Sequence, residues 1–200
     1  MRIGVLALQG AFVEHRQMLR QLGVETFEVR QLRDWMLMGP QYGGSGDGMG
    51  LILPGGESTV QLRLLRDLQL FDPLRQAILN GLPVFGTCAG MILLSEGRLG
   101  TMKIRVRRNA YGRQLGSFHA EAPVEGVGED IPMTFIRAPY IEEILQDSDC
   151  DKENCHPLAT LHGRIVAAER GRQLVTSFHP ELDGDTRMHA HFIQDLVLLR

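Results

Sequence analysis

Long apolar runs are missing from this chain of 200 residues, and none approaches the ~20 residues that a membrane-spanning helix requires. Cysteine is scarce: three residues at irregular positions give no disulfide framework and suit a reducing compartment. Neither sign of charge is in large excess. The 21 Lys+Arg face 24 Asp+Glu, a net of −3, which excludes the basic field that nucleic-acid binders carry. There is no G-x-x-x-x-G-K-[ST] phosphate loop, no internal repeat and no linker-like stretch. A large multi-domain enzyme is thereby excluded, and one domain spanning residues 1–200 is expected. The opening segment from Met1 to Leu6 reads as a first β-strand and lacks the long apolar core of a signal peptide. These absences predict a soluble, cytoplasmic, globular domain. With 44% hydrophobic residues, folding at this length should bury roughly 70% of the unfolded surface without a metal or disulfide staple.

The first half alternates strand-like and helix-like patterns. Ile3 to Leu8 is a nearly continuous apolar run, as a strand buried on both faces should be. After Gly10, residues Phe12, His15, Leu19 and Leu22 fall on one helix face, with Gly23 as the stop. Thr26 to Val29 and Leu51 to Leu53 are further strands, the second ending at Pro54-Gly55-Gly56. Ser58 reads as the N-cap of a helix carrying Leu62, Leu65 and Leu68, and Asp72-Pro73 as the start of another. Val84-Phe85 is a short strand, after which Gly86-Thr87-Cys88-Ala89-Gly90 leads into an apolar helix from Met91 to Leu94. Such alternation predicts an α/β fold, a parallel sheet covered by helices.

The second half differs. Ile104 to Val106, Thr134 to Ile136, Ile165 to Ala168 and Leu174 to Phe178 are short β-like runs. Arg170-Gly171-Arg172 turns a hairpin between the last two, and Asp185 to Leu199 reads as a closing helix. Two segments read as surface excursions. Gly39 to Gly50 holds six glycines in twelve residues, and the polar stretch from Gln146 to Pro157 carries Cys150, Cys155 and His156. A C-x4-C-H pattern supplies only three ligands and has no matching second pair, so an exposed loop is the better reading than zinc.

The sharpest chemical signal is Gly86-x-Cys88-x-Gly90 between a strand and a helix, the cysteine form of a nucleophile elbow. Side chains at either glycine would crowd the turn, and the helix N-terminus there favours a thiolate. The N–H of Ala89 is placed to donate to an oxyanion. A buried structural cysteine is the competing reading. A nucleophilic cysteine needs a base, and the base an orienting partner. Of seven histidines, His15, His189 and His191 fall in helix-like segments as polar or partly buried helix residues. His119 falls in a strand-like stretch, and His156 and His162 in a loop and a turn. His179 differs because it ends an apolar strand and precedes Pro180-Glu181. A residue before proline is pushed toward extended geometry, where positions i and i+2 share a side, so Glu181 can approach the imidazole. A plain turn with a surface Glu is the alternative. Pro54-Gly55-Gly56-Glu57-Ser58 offers backbone N–H groups that can approach a substrate oxygen, and Gln9-Gly10 ends the first strand at the same sheet edge.

Taken together, these residues resemble the class I glutamine amidotransferases, and within them the family of glutaminase subunits of pyridoxal 5′-phosphate synthase. The matching segments run in order through nearly the whole chain: Ile3 to Gly10, Leu51 to Thr59, Phe85 to Gly90, Arg108 to Gln114, Phe135 to Pro139 and Ser177 to Leu182. The resemblance implies a three-layer α/β fold with a central, mostly parallel sheet, helices on both faces and additional β-hairpin strands in the second half. It implies hydrolysis of L-glutamine to L-glutamate and ammonia, with Cys88 as the nucleophile that forms a γ-glutamyl thioester. His179 is then the general base and later the acid, with Glu181 fixing its imidazole. Gly56, Glu57, Ser58, Arg108, Ile136 and Arg137 match glutamine-binding positions, and a guanidinium such as Arg108 suits the α-carboxylate. Ala89, Gly55 and Gln9 match oxyanion and activation positions.

The resemblance implies no cofactor, no metal, no nucleic acid and no membrane. The implied partner is a (β/α)8-barrel synthase subunit in a hetero-oligomeric complex, which takes the ammonia and builds the vitamer from pentose and triose phosphates. Against the family pattern, the segment between Gly90 and Arg108 is short, which implies a cut-back helix after the elbow. Gly39 to Gly50 and Gln146 to Pro157 read as insertions. Two other readings stay open: another cysteine hydrolase on this fold, such as a γ-glutamyl hydrolase, and a non-enzymatic regulatory subunit.

Overall fold

The computed structural model describes residues 1–38, 48–108, 116–145 and 154–199. Strand β1 (Arg2–Leu6) leads to α1 (Phe12–Gln21), β2 (Glu25–Val29) and α2 (Leu32–Met38). Then follow β3 (Met49–Leu53), α3 (Ser58–Asp67), α4 (Phe71–Leu79), β4 (Val84–Thr87) and the short α5 (Ala89–Leu94). The second half holds β5 (Ile104–Arg107), β6 (Ser117–Val124), β7 (Gly128–Ile136), β8 (Tyr140–Ile144), β9 (His156–Leu161), β10 (Arg164–Arg170) and β11 (Gln173–Thr176). A 3-10 turn (Pro180–Leu182), α6 (Arg187–His191) and a π-helical segment (Phe192–Val197) close the chain.

The main sheet runs β2-β1-β3-β4-β11-β10-β8-β5, with β9 also paired to β10. From β2 to β11 every neighbour is parallel, whereas β10, β8, β5 and β9 join antiparallel. β6 and β7 form a separate antiparallel hairpin. Alternation along the strands divides the core in two, because successive side chains point to opposite faces. Ile3, Val5, Ile52, Phe85 and Leu174 face a cluster with Leu19 of α1, Met188 of α6, Phe192 and the β6–β7 hairpin. Leu6, Leu51, Leu53, Val84 and Val175 face the other way, onto Trp35, Leu65, Leu74, Met91 and Leu93 of α2 to α5. Helices therefore cover both faces, and the central strands β1, β3 and β4 are mostly apolar because neither face meets water, whereas the edge strand β2 carries Glu25 and Glu28. No helix among the described residues is long and apolar enough to cross a membrane.

Several sequence expectations change in detail. Ser58 is not the N-cap of α3 but its first residue. Glu57 caps instead, its carboxylate accepting from Thr59 N–H, and Ser58 is turned inward and buried. The closing helix begins at Arg187 and widens to π geometry from Phe192, which puts Phe192, Ile193, Leu196 and Val197 all in the core. Helix α2 and strands β8 and β9 are not marked by the sequence pattern, and of β6 only the strand-like stretch around His119 is. Met49 and Gly50, expected in a glycine-rich loop, belong to β3, while residues 39–47 of that stretch lie outside the described residues. Of the Gln146-to-Pro157 stretch, residues 146–153 (with Cys150) also lie outside them. His156 and Pro157 open β9, and Cys155 packs against the second apolar cluster, where burial pushes its thiol up to about 11.

Phe192 is fully buried, its ring 5.7 Å from that of Phe85. Phe192→Ala should destabilise the fold by about 3–5 kcal/mol, measured by urea unfolding. A loss below about 1 kcal/mol would contradict this account of the core.

Candidate active site

The carboxyl ends of β1, β3, β4 and β11 meet at one edge of the sheet, the place where open α/β folds build their sites. Gln9 follows β1, Gly55 to Ser58 follow β3, Cys88 follows β4 and His179 follows β11. Adjacency of β4 and β11 is continued past the strand ends, where Cys88 N–H donates to Thr176 O at 2.8 Å. Thr134 O of β7 then accepts from His179 N–H at 2.8 Å.

Cys88 holds φ 47° and ψ −97°, a conformation a side chain rarely adopts. Such strain persists only where packing over-determines it, and it projects the thiol from a sharp turn. The flanking glycines are enforced sterically. A Cβ on Gly90 would lie 2.0 Å from Leu53 O, and one on Gly86 2.7 Å from Gly90 C. Gly55 makes room for the imidazole in the same way, since a Cβ there would come within 2.2 Å of His179 Cε1.

His179 Nδ1 lies 2.7 Å from Glu181 Oε1, and both residues are buried. The pairing was expected from an extended chain. It is reached instead through the 3-10 turn Pro180–Leu182, which folds Glu181 back under the ring. Burial pulls the His179 pKa down, but hydrogen bonds to Cys88 and Glu181, with their charges, outweigh it and push the value up to about 10. Glu181 is raised, first by its own burial, against the pull of His179. Its Oε2 lies 3.4 Å from His15 Nε2 but completes no hydrogen bond there. That contact is no ion pair, because burial holds His15 well below its ordinary pKa, with His189 and His179 adding to the shift.

A cavity of about 290 Å³ opens over this pair, at the small end of ligand pockets. Gln9, Gly56, Glu57, Ser58, Cys88, Arg108, Ile136, Arg137 and His179 line it, together with Ile92 and Pro139, which sequence reasoning missed. Arg108 Nη2 donates to Glu57 Oε1 at 3.0 Å. Hydrogen bonding from the Thr59 hydroxyl lowers the Glu57 pKa most, and burial opposes it. The Thr59 N–H and the cations of Arg108 and Arg137 add to the lowering. One wall therefore carries a carboxylate between two guanidinium groups. Gln9 Oε1 accepts from Glu57 N–H at 2.7 Å, and Gln61 Nε2 braces the loop by donating to Gln9 O and Pro54 O. Gly55, expected to supply an oxyanion donor, gives its N–H to Thr87 Oγ1 at 3.0 Å, so in this conformation it faces the core and Gly56 lines the cavity. Of the segment from Arg108 to Gln114, only Arg108 lies within the described residues.

A buried polar chain behind the site was also missed. His15 and His189, read as polar or partly buried helix residues, are fully buried. The contacts of His15 with His189 and with Thr87 join residues too far apart in sequence for any local pattern to reveal.

The chain belongs to the SNO glutamine amidotransferase family, matched over residues 5–198. It is 53% identical to the pyridoxal 5′-phosphate synthase subunit PdxT of Streptococcus pneumoniae (strain CGSP14) over 201 residues, covering 97% of this chain and 96% of that protein. A crystal structure described as a glutamine amidotransferase matches with a TM-score of 0.80 at 40% identity, covering 95% of this chain and 96% of the other. A putative GMP synthase subunit from Thermoplasma acidophilum shares the fold alone, with a TM-score of 0.65 at 19% identity over 96% of this chain and 92% of that one.

The buried histidines set a pH dependence. Burial lowers His189 from 6.5 to about 4, and His15 is lowered too. Unfolded imidazoles take up protons that the folded ones refuse, so stability is lost as pH falls through the unfolded value of 6.5 toward about 4. His179 and His191, with raised pKa values, gain stabilisation only until their unfolded rings are protonated just below 6.5, so they offset part of the loss near neutrality and none further down. The urea midpoint should thus be lower at about pH 5 than at about pH 7, with a smaller difference in His189→Leu. A wild-type midpoint equal at the two pH values would contradict it.

Proposed function

We propose that this chain is the glutaminase subunit of a pyridoxal 5′-phosphate synthase, a single cytoplasmic catalytic domain that hydrolyses L-glutamine and passes ammonia to a (β/α)8-barrel synthase subunit. The observation that carries this reading is one cavity holding the strained Cys88, the His179–Glu181 pair at 2.7 Å and a wall of Glu57 with Arg108 and Arg137. Such a wall suits a zwitterion, with the α-ammonium beside the carboxylate and the α-carboxylate beside a guanidinium. The high sequence identity to PdxT over nearly the full length of both chains supports the choice of complex.

In this reading glutamine lies with its side-chain amide over Cys88. His179, whose raised pKa favours the protonated ring, already holds the proton given up by the thiol, and the sulfur it leaves attacks the amide carbon. Ala89 N–H, at the start of α5, donates to the developing oxyanion. Collapse of the tetrahedral intermediate expels ammonia, which carries away the proton from His179, and leaves a γ-glutamyl thioester. A water deprotonated by His179 then releases glutamate. Glu181 holds the imidazole with Nδ1–H toward the carboxylate and Nε2 toward sulfur throughout. The engagement of Gly55 N–H with Thr87 supports partner dependence. A second oxyanion donor requires this loop to change its hydrogen bonds, and Gln9, which binds the same loop, is placed to transmit a docked subunit's effect.

Ammonia release from glutamine, assayed with and without a purified synthase subunit, tests the proposal. Cys88→Ala and His179→Asn should each abolish release, whereas Arg108→Ala should mainly raise KM, by about tenfold or more if it loses a charge-assisted contact. Full activity in the Cys88 variant would sink the assignment.

A further inference from the structure

The reaction as derived uses one oxygen of Glu181 and leaves the other without a role. That oxygen, Oε2, is buried with no completed hydrogen bond among the described residues, 3.4 Å from His15 Nε2. His15 is itself fully buried on α1. Its Nε2 lies 3.0 Å from Thr87 Oγ1, and its Nδ1 lies 2.9 Å from His189 Nε2 on α6. Four elements thus converge behind the imidazole: α1, the end of β4, the 3-10 turn and α6.

We infer that His15 is a positioning residue for the glutaminase reaction: its Nε2–H points at the Glu181 carboxylate and Thr87, and so holds the group that orients His179. The inference rests on the Cys88–His179–Glu181 reading above and deepens it.

A proton inventory separates the two arrangements available to a neutral His15. With its proton on Nδ1, His15 donates to His189 Nε2, accepts from the Thr87 hydroxyl at Nε2 and offers no donor to Glu181 Oε2. The carboxylate oxygen then has no donor and faces a second acceptor, and His189 must keep a buried Nδ1–H that has no partner among the described residues. With its proton on Nε2, His15 accepts from His189 Nε2–H and directs its own N–H between Thr87 Oγ1 and Glu181 Oε2. Left unpaired in this group are then a neutral lone pair on His189 Nδ1 and the neutral hydroxyl proton of Thr87, whose oxygen accepts from both Gly55 N–H and His15. A buried charge without a donor, together with an unpaired N–H, costs more than a neutral lone pair and a neutral hydroxyl without partners, so the second arrangement wins. The low basicity of both buried imidazoles keeps them from becoming rival cations beside His179. Orienting groups behind a functional histidine commonly act this way, holding ring and tautomer rather than touching the substrate.

Two measurements on the full-length chain test this. Nitrogen-15 NMR of histidine-labelled wild-type protein reads the tautomer directly, and a neutral His15 protonated on Nε2 is expected. A proton on Nδ1 overturns the inference. Steady-state glutaminase kinetics with the synthase subunit present then compare His15→Phe, which keeps a ring but no donor, with His15→Gln, whose amide N–H can reach Glu181. His15→Phe should lower kcat by about tenfold or more, with KM for glutamine and the fraction of Cys88 alkylated by a glutamine-like chloroketone unchanged. His15→Gln should recover much of the loss. Wild-type kcat in His15→Phe, or equal impairment of both variants at full Cys88 labelling, overturns it. Should neither variant fold, the wild-type tautomer decides. Activity retained in Cys88→Ala would instead discard the underlying triad, a result independent of the His15 tautomer.

Discussion

The parallel pairing of β4 with β11 is the constraint on which the site depends. These strands are far apart in sequence, yet they lie side by side in register from Val84 opposite Gln173 to Thr87 opposite Thr176. Their carboxyl ends therefore emerge together, and the Cys88 N–H to Thr176 O bond extends the ladder into the elbow. Cys88 and His179 are brought into one cavity by main-chain hydrogen bonding between segments distant in sequence. The remaining parts are fitted around that pairing. Leu53 O presses against Gly90, so β3 fixes the first turn of α5, and the Gly55 loop closes over the imidazole where only a glycine fits.

Electrostatics then specialises the frame. The cavity mouth is wet and charged, and Glu57, Arg108 and Arg137 there are exposed enough for water to moderate their mutual attraction. Behind the imidazole the surroundings are dry. Burial raises Glu181 and depresses His15 and His189, while the partners of His179 overcome its burial. A single basic group faces sulfur, with neighbouring histidines neutral, an arrangement that favours a proton held on His179. Stability is given up for it, since buried neutral imidazoles weaken the fold as the medium acidifies.

Much of this was legible in the sequence because it is local. Apolar runs too short for helices marked the parallel strands, the Gly86-x-Cys88-x-Gly90 pattern marked the elbow, and Arg170-Gly171-Arg172 marked the hairpin that joins β10 to β11. His179 and Glu181 could be paired from their spacing, although the 3-10 turn that joins them could not. What escaped depends on distant partners. Strand-like character showed around His119 and from Thr134 to Ile136, but the pairing of β6 with β7 did not, because the hairpin is half exposed, with charged and apolar residues mixed along it, and its place comes from the face it covers. Ser58 has a good capping side chain, but burial took it inward and left the cap to Glu57. Gly55 looked like an oxyanion donor until Thr87 claimed its N–H, and His15 gained meaning only beside His189 and Glu181.

The central claim is that glutamine hydrolysis passes through a covalent intermediate on Cys88. The most direct measurement is peptide-mapping mass spectrometry of the chain, mixed with its synthase subunit and excess glutamine and quenched in acid during turnover. A γ-glutamyl group on the peptide containing Cys88 is the predicted result. Continuing ammonia release with no such adduct in Glu181→Gln, where deacylation should be slowed, or with an adduct on another residue, would contradict the account.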